Sequence, residues 1–445
     1  MKRNTAAGLG RVRPFASILE YNFLASSARS PMISDLVYDW NTHSAPEIPP
    51  NRRVMLNDET LRDGLQNPSV RDPSIDEKIQ ILHLMENLGI DEVNIGLPAA
   101  GPRAAADSEA LAREIIGSHM RIRPNLGGRT HRGDIQAMID VCERVGQPIE
   151  AAVFLGSSPI RRLVEDWSVE YLERTTEDAV AFAASHGLPP MYVTEDTIRT
   201  DPSTIVRLYS TAIRTGARSI VLCDTVGHAT PQGAYNLVKF VIEEIVKPSG
   251  EKIRVDWHGH NDRGLAVANS LAAVAAGADQ VHAVALALGE RVGNTPMEVM
   301  LVNLRLLGLI DRDLSKLKKY SETVARATNT VIPPNYPVVG RDAFRTQTGV
   351  HASAIAKAHK KHDVELADAI YSGVPAHLFG LEQVIEIGPM SGRSNVVYWF
   401  GKHGIAATDE LVDRVLSAAK QSSSVLTEQE ILALAASSTR GKSRP

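Results

Sequence analysis

The chain has 445 residues, of which 48 are basic and 52 acidic, so its formal net charge is −4, and 43% of its residues are hydrophobic. This composition is typical of a globular protein and excludes disordered and fibrous chains. Because there is no lysine-rich block, basic tail or cationic amphipathic segment, we expect neither nucleic acid nor a membrane surface as a partner.

Residues 1–50 lack the continuous apolar core of an export signal, so we interpret them as an N-terminal extension, with a transit segment as the alternative. The two cysteines, Cys142 and Cys223, have no partner motif, which argues against a disulfide framework and fits a reducing compartment. We therefore expect a cytoplasmic protein. The most apolar stretch, 265–289, predicts no transmembrane helix because polar residues interrupt it, namely Asn269, Asp279, Gln280 and His282.

From Arg53 to Leu307 the sequence alternates between short apolar runs and longer segments with helical spacing. Eight predicted strands begin at Val54, Glu92, Met120, Ile149, Met191, Ser219, Ile253 and Gln280. The predicted helices cover 74–88, 104–116, 134–145, 169–186, 202–215 and 231–246. Eight strand–helix units predict a (β/α)8 TIM barrel over residues 51–310, whose usual size is about 250 residues. A doubly wound open sheet is the alternative, but no Gly-x-Gly-x-x-Gly turn follows the first strand.

The pattern changes after Leu307. Residues 311–330 indicate a helix, 333–337 form a proline-rich linker, and 341–436 indicate a mainly helical region with short connections. We therefore predict that residues 311–445 form a linker and a helical C-terminal lid module that follows the barrel.

Two histidines at the end of strand 7 suggest a metal site. Residues two apart on a strand face the same side, so His258 and His260 project together at the end of the barrel where such enzymes carry their reactive groups. Together with a carboxylate such as Asp63, at the end of strand 1, they suit a divalent cation. These ligands favour zinc, manganese, iron or cobalt over calcium, and the sequence does not distinguish Mn, Mg, Zn and Co. The alternative is an ordinary polar strand end.

Polar residues also follow strands 5, 6 and 8. They are the segments 194–197, 223–228 and 289–295. Taken singly, Asp224 and Thr225 fit a helix-start cap, and Gly293 and Asn294 fit a turn. A polar active site around a metal explains all three segments together.

Five motifs occur in order between residues 58 and 404. They are Thr60-Leu-Arg-Asp-Gly-x-Gln66, His258-Gly-His-Asn-Asp262, Gly289-Glu-Arg-x-Gly-Asn294, Thr348-Gly-Val-His351 and Pro389-Met-Ser-Gly-Arg-Ser-Asn395. Their order and spacing resemble the acyl-CoA-dependent Claisen-condensing synthases, metal-dependent barrel enzymes that include 2-isopropylmalate, citramalate and homocitrate synthases. The resemblance implies that acetyl-CoA and a 2-oxo acid are the substrates.

The resemblance also implies roles for the matching residues. The metal ligands are implied to be Asp63, His258 and His260, with Asn294 as a further, weaker ligand. Arg62 is similar to the arginine that faces the keto oxygen of the substrate, and Thr225 to the threonine that holds its carboxylate. Glu195 matches an acidic residue beside the site, and Gln66, in the first motif, is expected to contact the substrate.

Two further residues belong to the predicted C-terminal module. His351 resembles a histidine implicated in removing a proton from the acetyl-CoA methyl group, and Tyr371 a tyrosine that approaches the same pocket. An imidazole that titrates near neutrality suits this work. In the family this module crosses to the barrel of the partner, which implies a homodimer. The alternative for His351 is an ordinary surface or interface histidine.

Some positions depart from the family pattern. Glu59 stands where these synthases usually have a small hydroxyl residue, and Ala287 replaces the first glycine of the Gly-x-Gly-Glu-Arg motif. Met191 stands where homocitrate synthases place an arginine for the distal carboxylate of their substrate, which favours a non-acidic 2-oxo acid. Arg161, on the loop after strand 4, is the alternative receptor for an acidic tail, or else a solvated charge.

We therefore predict condensation of acetyl-CoA with 2-oxoisovalerate to give 2-isopropylmalate, in leucine biosynthesis. A homocitrate synthase-like or a citramalate synthase activity is the alternative. Two weaker alternatives are a hydroxymethylglutaryl-CoA lyase, which uses a cysteine-bearing glycine loop that this chain lacks near strand 8, and a metal-binding partner without turnover. The residues after Gly404 are too few for a leucine-sensing domain, so we expect no feedback inhibition through one.

Overall fold

The computed structural model describes residues 36–42, 52–361 and 363–436. Residues 36–42 belong to a separate unit, in which Trp40–Thr42 form one 3-10 turn. Most of the predicted N-terminal extension lies outside the described residues. Within them, no helix has both the length and the apolar character needed to cross a membrane.

Eight parallel strands form a closed barrel, in which each strand pairs with its neighbours along the chain and the first pairs with the eighth. The strands are β1 (Met55–Asp58), β2 (Glu92–Asn94), β3 (Arg123–Arg129), β4 (Glu150–Gly156), β5 (Pro190–Glu195), β6 (Ser219–Asp224), β7 (Arg254–Gly259) and β8 (Gln280–Ala283). The predicted TIM barrel is confirmed. Only β3 begins clearly later than predicted, because the Met120 N–H still donates to the carbonyl oxygen of Ile115 and closes the preceding helix.

Helices on the outside of the barrel cover the strands and bury their outward apolar side chains. They are α1 (Ile75–Asn87), α2 (Pro102–Gly117), α3 (Arg132–Val145), α4 (Pro159–Glu165), α5 (Val169–Ser185), α6 (Pro202–Thr215), α7 (Pro231–Val241), α8 (Ala266–Ala276) and α9 (Met297–Leu306). α7 continues through a π turn, Ile242–Val246, into Lys247–Ser249. The short helix α4 was not predicted, because it buries none of its residues and so has no apolar face to reveal it.

The C-terminal module contains more than helices. Its elements are α10 (Leu317–Thr328), β9 (Arg345–Thr346), α11 (Gly349–Lys360), α12 (Val364–Ala369), β10 (Val384–Ile385), α13 (Arg393–Lys402), α14 (Asp409–Gln421) and α15 (Glu428–Ala436). β9 and β10 pair in parallel, and with two residues each they are too short to show the alternation of a strand in the sequence. A second apolar cluster, which includes Val396, Phe400 and Val415, fills the space between α13 and α14.

Many of the side chains that point into the barrel are polar, although barrels of this kind are mostly filled by branched apolar side chains. Along β7 the inward positions are Arg254, Asp256 and His258, while Trp257 is buried in the apolar layer under the helices. The Arg254 guanidinium lies 3.1 Å from Glu92 Oε2, 3.1 Å from Glu150 Oε2 and 3.0 Å from Asp256 Oδ1. We call these four ionisable residues, Glu92, Glu150, Arg254 and Asp256, the barrel floor.

We expect Arg254→Met to lower the free energy of unfolding by about 3–5 kcal/mol, because it leaves buried carboxylates without their counter-charge. Urea denaturation of the two proteins measures this difference. The matched control is Arg121→Met, since Arg121 is 86% exposed in its pair with Glu86 and should change stability by less than about 1 kcal/mol. Equal effects of the two substitutions would contradict the importance of the barrel floor.

Candidate metal centre and active site

Hydrogen bonds fix the segment that connects β1 to Arg62 and Asp63. The Asp58 carboxylate accepts hydrogen bonds from the backbone N–H of Thr60, at 2.8 Å, and from the Tyr320 hydroxyl of α10, at 2.5 Å. The Thr60 hydroxyl in turn accepts from the Ala285 N–H at 2.9 Å, just after β8. Contacts from two other parts of the unit therefore fix where Arg62 and Asp63 point.

Asp63, His258 and His260 come together at the carboxyl ends of the strands, as the sequence predicted. Asp63 Oδ2 lies 3.5 Å from His258 Nε2 and 3.8 Å from His260 Nε2, and all three residues are buried. Ligands bonded to one cation at about 2.0–2.2 Å lie roughly this far apart. The Nδ1 atom of His260 is buried without a hydrogen-bond partner. The donor set of one carboxylate and two imidazoles fits a divalent cation.

A second group of ligand-type atoms shares His258 and consists of Glu59, His258 and His282. Burial disfavours a charge on His282, but Glu59 and Asp256 overcome this effect and raise its pKa to about 9. A protonated imidazole has no lone pair with which to bind a metal. The group with Asp63 and His260 is therefore the better candidate for the metal centre.

Asn294 lies beside this centre on a tightly constrained loop. It forms a β-bridge with His260, and its side-chain oxygen is buried without a hydrogen-bond partner. Gly289 and Gly293 have φ angles of 131° and 84°, and a Cβ atom there would collide with the Asn294 amide and with the backbone of Ala287, respectively. The two glycines of the motif thus allow the loop to place Asn294, whose free oxygen suits the predicted weak ligand.

The remaining predicted barrel residues differ in their position relative to the central cavity, which has a volume of about 220 Å³. Arg62, Gln66, Glu195 and Thr225 line it. Burial raises the pKa of Glu195. Arg161 does not line the cavity: it is exposed on α4, where it pairs with Glu165 at 3.0 Å and stacks over Trp167.

Arg62 stays charged in this buried position. Burial opposes the charge, but the carboxylates of Glu59 and Asp63 raise the pKa of the guanidinium. Its Nη2 atom donates to Glu59 Oε1 at 2.6 Å, and its Nη1 atom lies 3.8 Å from Asp63 Oδ1. A fixed positive charge therefore lies next to the candidate metal centre.

His351 and Tyr371 lie together in the C-terminal module, with their rings stacked at a centroid distance of 3.9 Å. Neither residue lines the central cavity of its own chain. The loop before His351 packs on the last predicted motif: the Gly349 N–H donates to the Met390 carbonyl oxygen, and the Asn395 amide donates to the Gln347 carbonyl oxygen. The roles of His351 and Tyr371 remain predictions.

Sequence reasoning missed four ionisable residues that line the cavity: Glu59, His282, Glu290 and Arg291. Glu59 stood out only as a departure from the family pattern, and His282 only as a polar residue in an apolar stretch. Arg291 lies within the Gly289–Asn294 motif and donates to the Thr225 carbonyl oxygen at 2.6 Å and to Asp262. Its place in that motif is the sequence signal that could have identified Arg291 as a site residue.

The charge on His282 predicts a pH-dependent stability. Its folded-state pKa of about 9 exceeds its ordinary value of 6.5, so the folded protein holds an extra proton between these values. Protonated His282 should contribute fully to the free energy of unfolding below pH 6.5. This contribution, at most about 3 kcal/mol, should be lost as the pH rises through 9. Urea denaturation across this range, compared with His282→Gln, measures the effect. A wild-type pH dependence that persists unchanged in the variant would contradict it.

A closed (β/α)8 barrel that gathers a carboxylate and two imidazoles at its carboxyl mouth defines a class of metal-dependent barrel enzymes. Residues 53–324 match the family model described as HMGL-like. A probable 2-isopropylmalate synthase from Methanopyrus kandleri is 33% identical over 374 residues, which cover 83% of this chain and 70% of the relative. The homocitrate synthase AksA of the same organism is 31% identical over 371 residues, which cover 82% and 87% of the two chains.

The chain belongs to the 2-isopropylmalate synthase and homocitrate synthase family of the HMGL-like barrels. Among solved structures, an HMG-CoA lyase from Bacillus subtilis has a TM-score of 0.53 at 19% identity, and the match covers 63% of this chain and 96% of the lyase chain. At this identity the likeness concerns the fold alone.

Proposed function

We propose that the protein condenses acetyl-CoA with 2-oxoisovalerate and releases 2-isopropylmalate and CoA. Family membership supports the reaction class, because relatives named as 2-isopropylmalate and homocitrate synthases share most of the chain. The observation that carries the choice of oxo acid is the apolar wall of the central cavity. This wall consists of Ala152, Met191, Val193, Val221 and Cys223, of which Cys223 lies beside His258 on the neighbouring strand.

The charged half of the cavity suits the reacting end of a 2-oxo acid. Asp63, His258 and His260 would hold a divalent cation, which when bound polarises the keto oxygen. Arg62 then offers a fixed positive charge to the alkoxide that develops on that oxygen. Thr225, whose hydroxyl accepts a hydrogen bond from the Asp196 N–H at 2.8 Å, keeps its own proton to donate to the substrate carboxylate.

The acetyl group requires a base. In the proposed reaction His351 removes a proton from the methyl group of acetyl-CoA, and the resulting enolate carbon forms a bond to the keto carbon. Water then cleaves the thioester and releases the CoA thiol. Because His351 and Tyr371 do not line the cavity of their own chain, we propose that they act in the barrel of a second copy, as a homodimer. We also propose a cytoplasmic role in leucine biosynthesis.

The apolar half of the cavity argues against an acidic substrate tail. Met191 is only 1% exposed and occupies the position at which homocitrate synthases carry an arginine. Arg161, the alternative receptor, does not line the cavity: it pairs with Glu165 and stacks over Trp167, and its charge also acts on Glu195. Glu195, whose pKa is raised by burial, adds a carboxyl group to the cavity and offers no positive charge to a second substrate carboxylate. A branched apolar tail needs no positive charge in this cavity and can pack against its apolar wall.

The test is a panel of 2-oxo acids, with acetyl-CoA, Mn²⁺ and a thiol-reactive dye to follow CoA release. We expect 2-oxoisovalerate to give the highest kcat/KM. The kcat/KM for pyruvate should be lower by at least about 10-fold, because pyruvate lacks two methyl groups, and the kcat/KM for 2-oxoglutarate should be the lowest of the three. Arg161→Gln should leave this order unchanged. A preference for 2-oxoglutarate that Arg161→Gln removes would overturn the choice of substrate, and no thiol release with any acid would overturn the function.

A further inference from the structure

Glu59 is a buried carboxylate, 3% exposed, that lies directly behind the candidate metal centre. Its two oxygens face different partners. Oε1 accepts a hydrogen bond from Arg62 Nη2 at 2.6 Å and lies 3.3 Å from His282 Nδ1. Oε2 lies 2.9 Å from His258 Nδ1, an ion-pair distance, and the two groups are not aligned for a hydrogen bond. One carboxylate therefore contacts both the candidate ligand His258 and the candidate catalytic cation Arg62.

The contact with His258 decides which nitrogen of that imidazole is free. A carboxylate oxygen 2.9 Å from Nδ1 favours the tautomer with the proton on Nδ1, which leaves the lone pair on Nε2. Nε2 is the atom that faces Asp63 Oδ2 at 3.5 Å. A metal ligand must present a lone pair, so Glu59 turns the correct nitrogen of His258 towards the metal centre. Histidine ligands in metal sites are commonly held by a carboxylate in this way.

Glu59 is itself held from behind by residues of three strands. His282 Nε2 lies 3.4 Å from Asp256 Oδ2 and 3.4 Å from the Asn57 amide nitrogen. Asp256 is in turn bound by Arg254 of the barrel floor. A continuous line of charged groups therefore runs from the barrel floor through His282 to Glu59.

We propose that Glu59 is a positioning residue that orients His258 for metal binding and couples it to Arg62. The proposal rests on the proposed metal centre and deepens it. In this chain the coupling depends on the carboxylate at position 59, which contacts both His258 and Arg62. A purely structural role, in which Glu59 only neutralises Arg62, would leave metal binding unaffected.

The experiment measures the Kd for Mn²⁺ of the full-length protein by electron paramagnetic resonance, with no substrate present. Glu59→Gln keeps the size of the side chain but removes its charge and weakens its acceptor, so we expect the Kd to rise about 10- to 100-fold. The matched control is Glu290→Gln, which removes one negative charge from the rim of the same cavity and should leave the Kd unchanged. The d–d bands of bound Co²⁺ should likewise shift in Glu59→Gln and not in the control.

Two outcomes separate the proposals from each other. If the wild-type protein fails to bind Mn²⁺, the proposed metal centre is wrong and Glu59 has no ligand to orient. If the wild-type protein binds Mn²⁺ and Glu59→Gln binds it equally well, only the inference on Glu59 is overturned.

A second measurement does not depend on the folding of a variant. Nitrogen-15 NMR of the metal-free wild-type protein with labelled histidines reports the tautomer of His258. A proton on Nδ1 is the expected result, and a neutral imidazole with its proton on Nε2 would contradict the inference.

Discussion

Asp63→Asn should lower kcat/KM for CoA release at least about 10³-fold, because a metal that polarises a carbonyl contributes several kcal/mol to the transition state. The substitution keeps the shape of a side chain that is 3% exposed but removes the carboxylate that, among the described residues, groups with both His258 and His260. Thiol release and Mn²⁺ content, measured on the same preparations, should fall together.

The control for Asp63 is Asp262→Asn. Asp262 lies at the same mouth of the barrel and pairs with Arg291, and it acts on His260 only through its charge, so its loss should change Mn²⁺ binding much less than the loss of Asp63. Treatment of the wild-type protein with a chelator should abolish turnover, and added Mn²⁺ should restore it. Full turnover in Asp63→Asn, or after complete metal removal, would refute the metal centre.

Arg62→Gln should lower kcat about 10²- to 10³-fold, the usual cost of removing one group that stabilises a developing oxyanion. Because this charge acts mainly in the transition state, KM for the oxo acid should change much less than kcat. Steady-state kinetics with saturating acetyl-CoA measure both constants.

Mn²⁺ affinity distinguishes Arg62 from the metal ligands. Arg62 contacts Glu59 and Asp63 through its guanidinium but offers no lone pair to a metal. Arg62→Gln should therefore bind Mn²⁺ while turning over slowly, and Arg161→Gln should be normal in both respects. An Arg62→Gln protein with normal kcat would remove the arginine from the proposed mechanism.

Local sequence patterns were sufficient for much of this architecture. The period-2 alternation of β7 placed His258 and His260 on one face, and the structure has both imidazoles facing Asp63. The eight strands were likewise found from short apolar runs, because each run is bounded by turn residues and separated by helical spacing. Helix α4 was not predicted, because it buries no side chain and therefore shows no apolar periodicity.

Contacts that depend on barrel closure were not predictable in the same way. Glu59 meets His282 because β1 pairs with β8, in a register that sets Asn57 opposite His282. The register between the first and the last strand is a property of the closed barrel, and no local pattern encodes it. The line of charged groups from the barrel floor to Glu59 could not be predicted either, because its members come from distant parts of the chain.

The closure of β1 against β8 also has a consequence for biosynthesis of the protein. A ribosome releases the chain from its N-terminus, so Asp63 emerges long before the two imidazoles of β7 that share its centre. Until β7 and β8 have been translated, the early strands have an open edge, and a cation bound as proposed would have only one of the three ligands Asp63, His258 and His260. Completion of the proposed metal centre therefore follows translation of β7 and accompanies closure of the barrel.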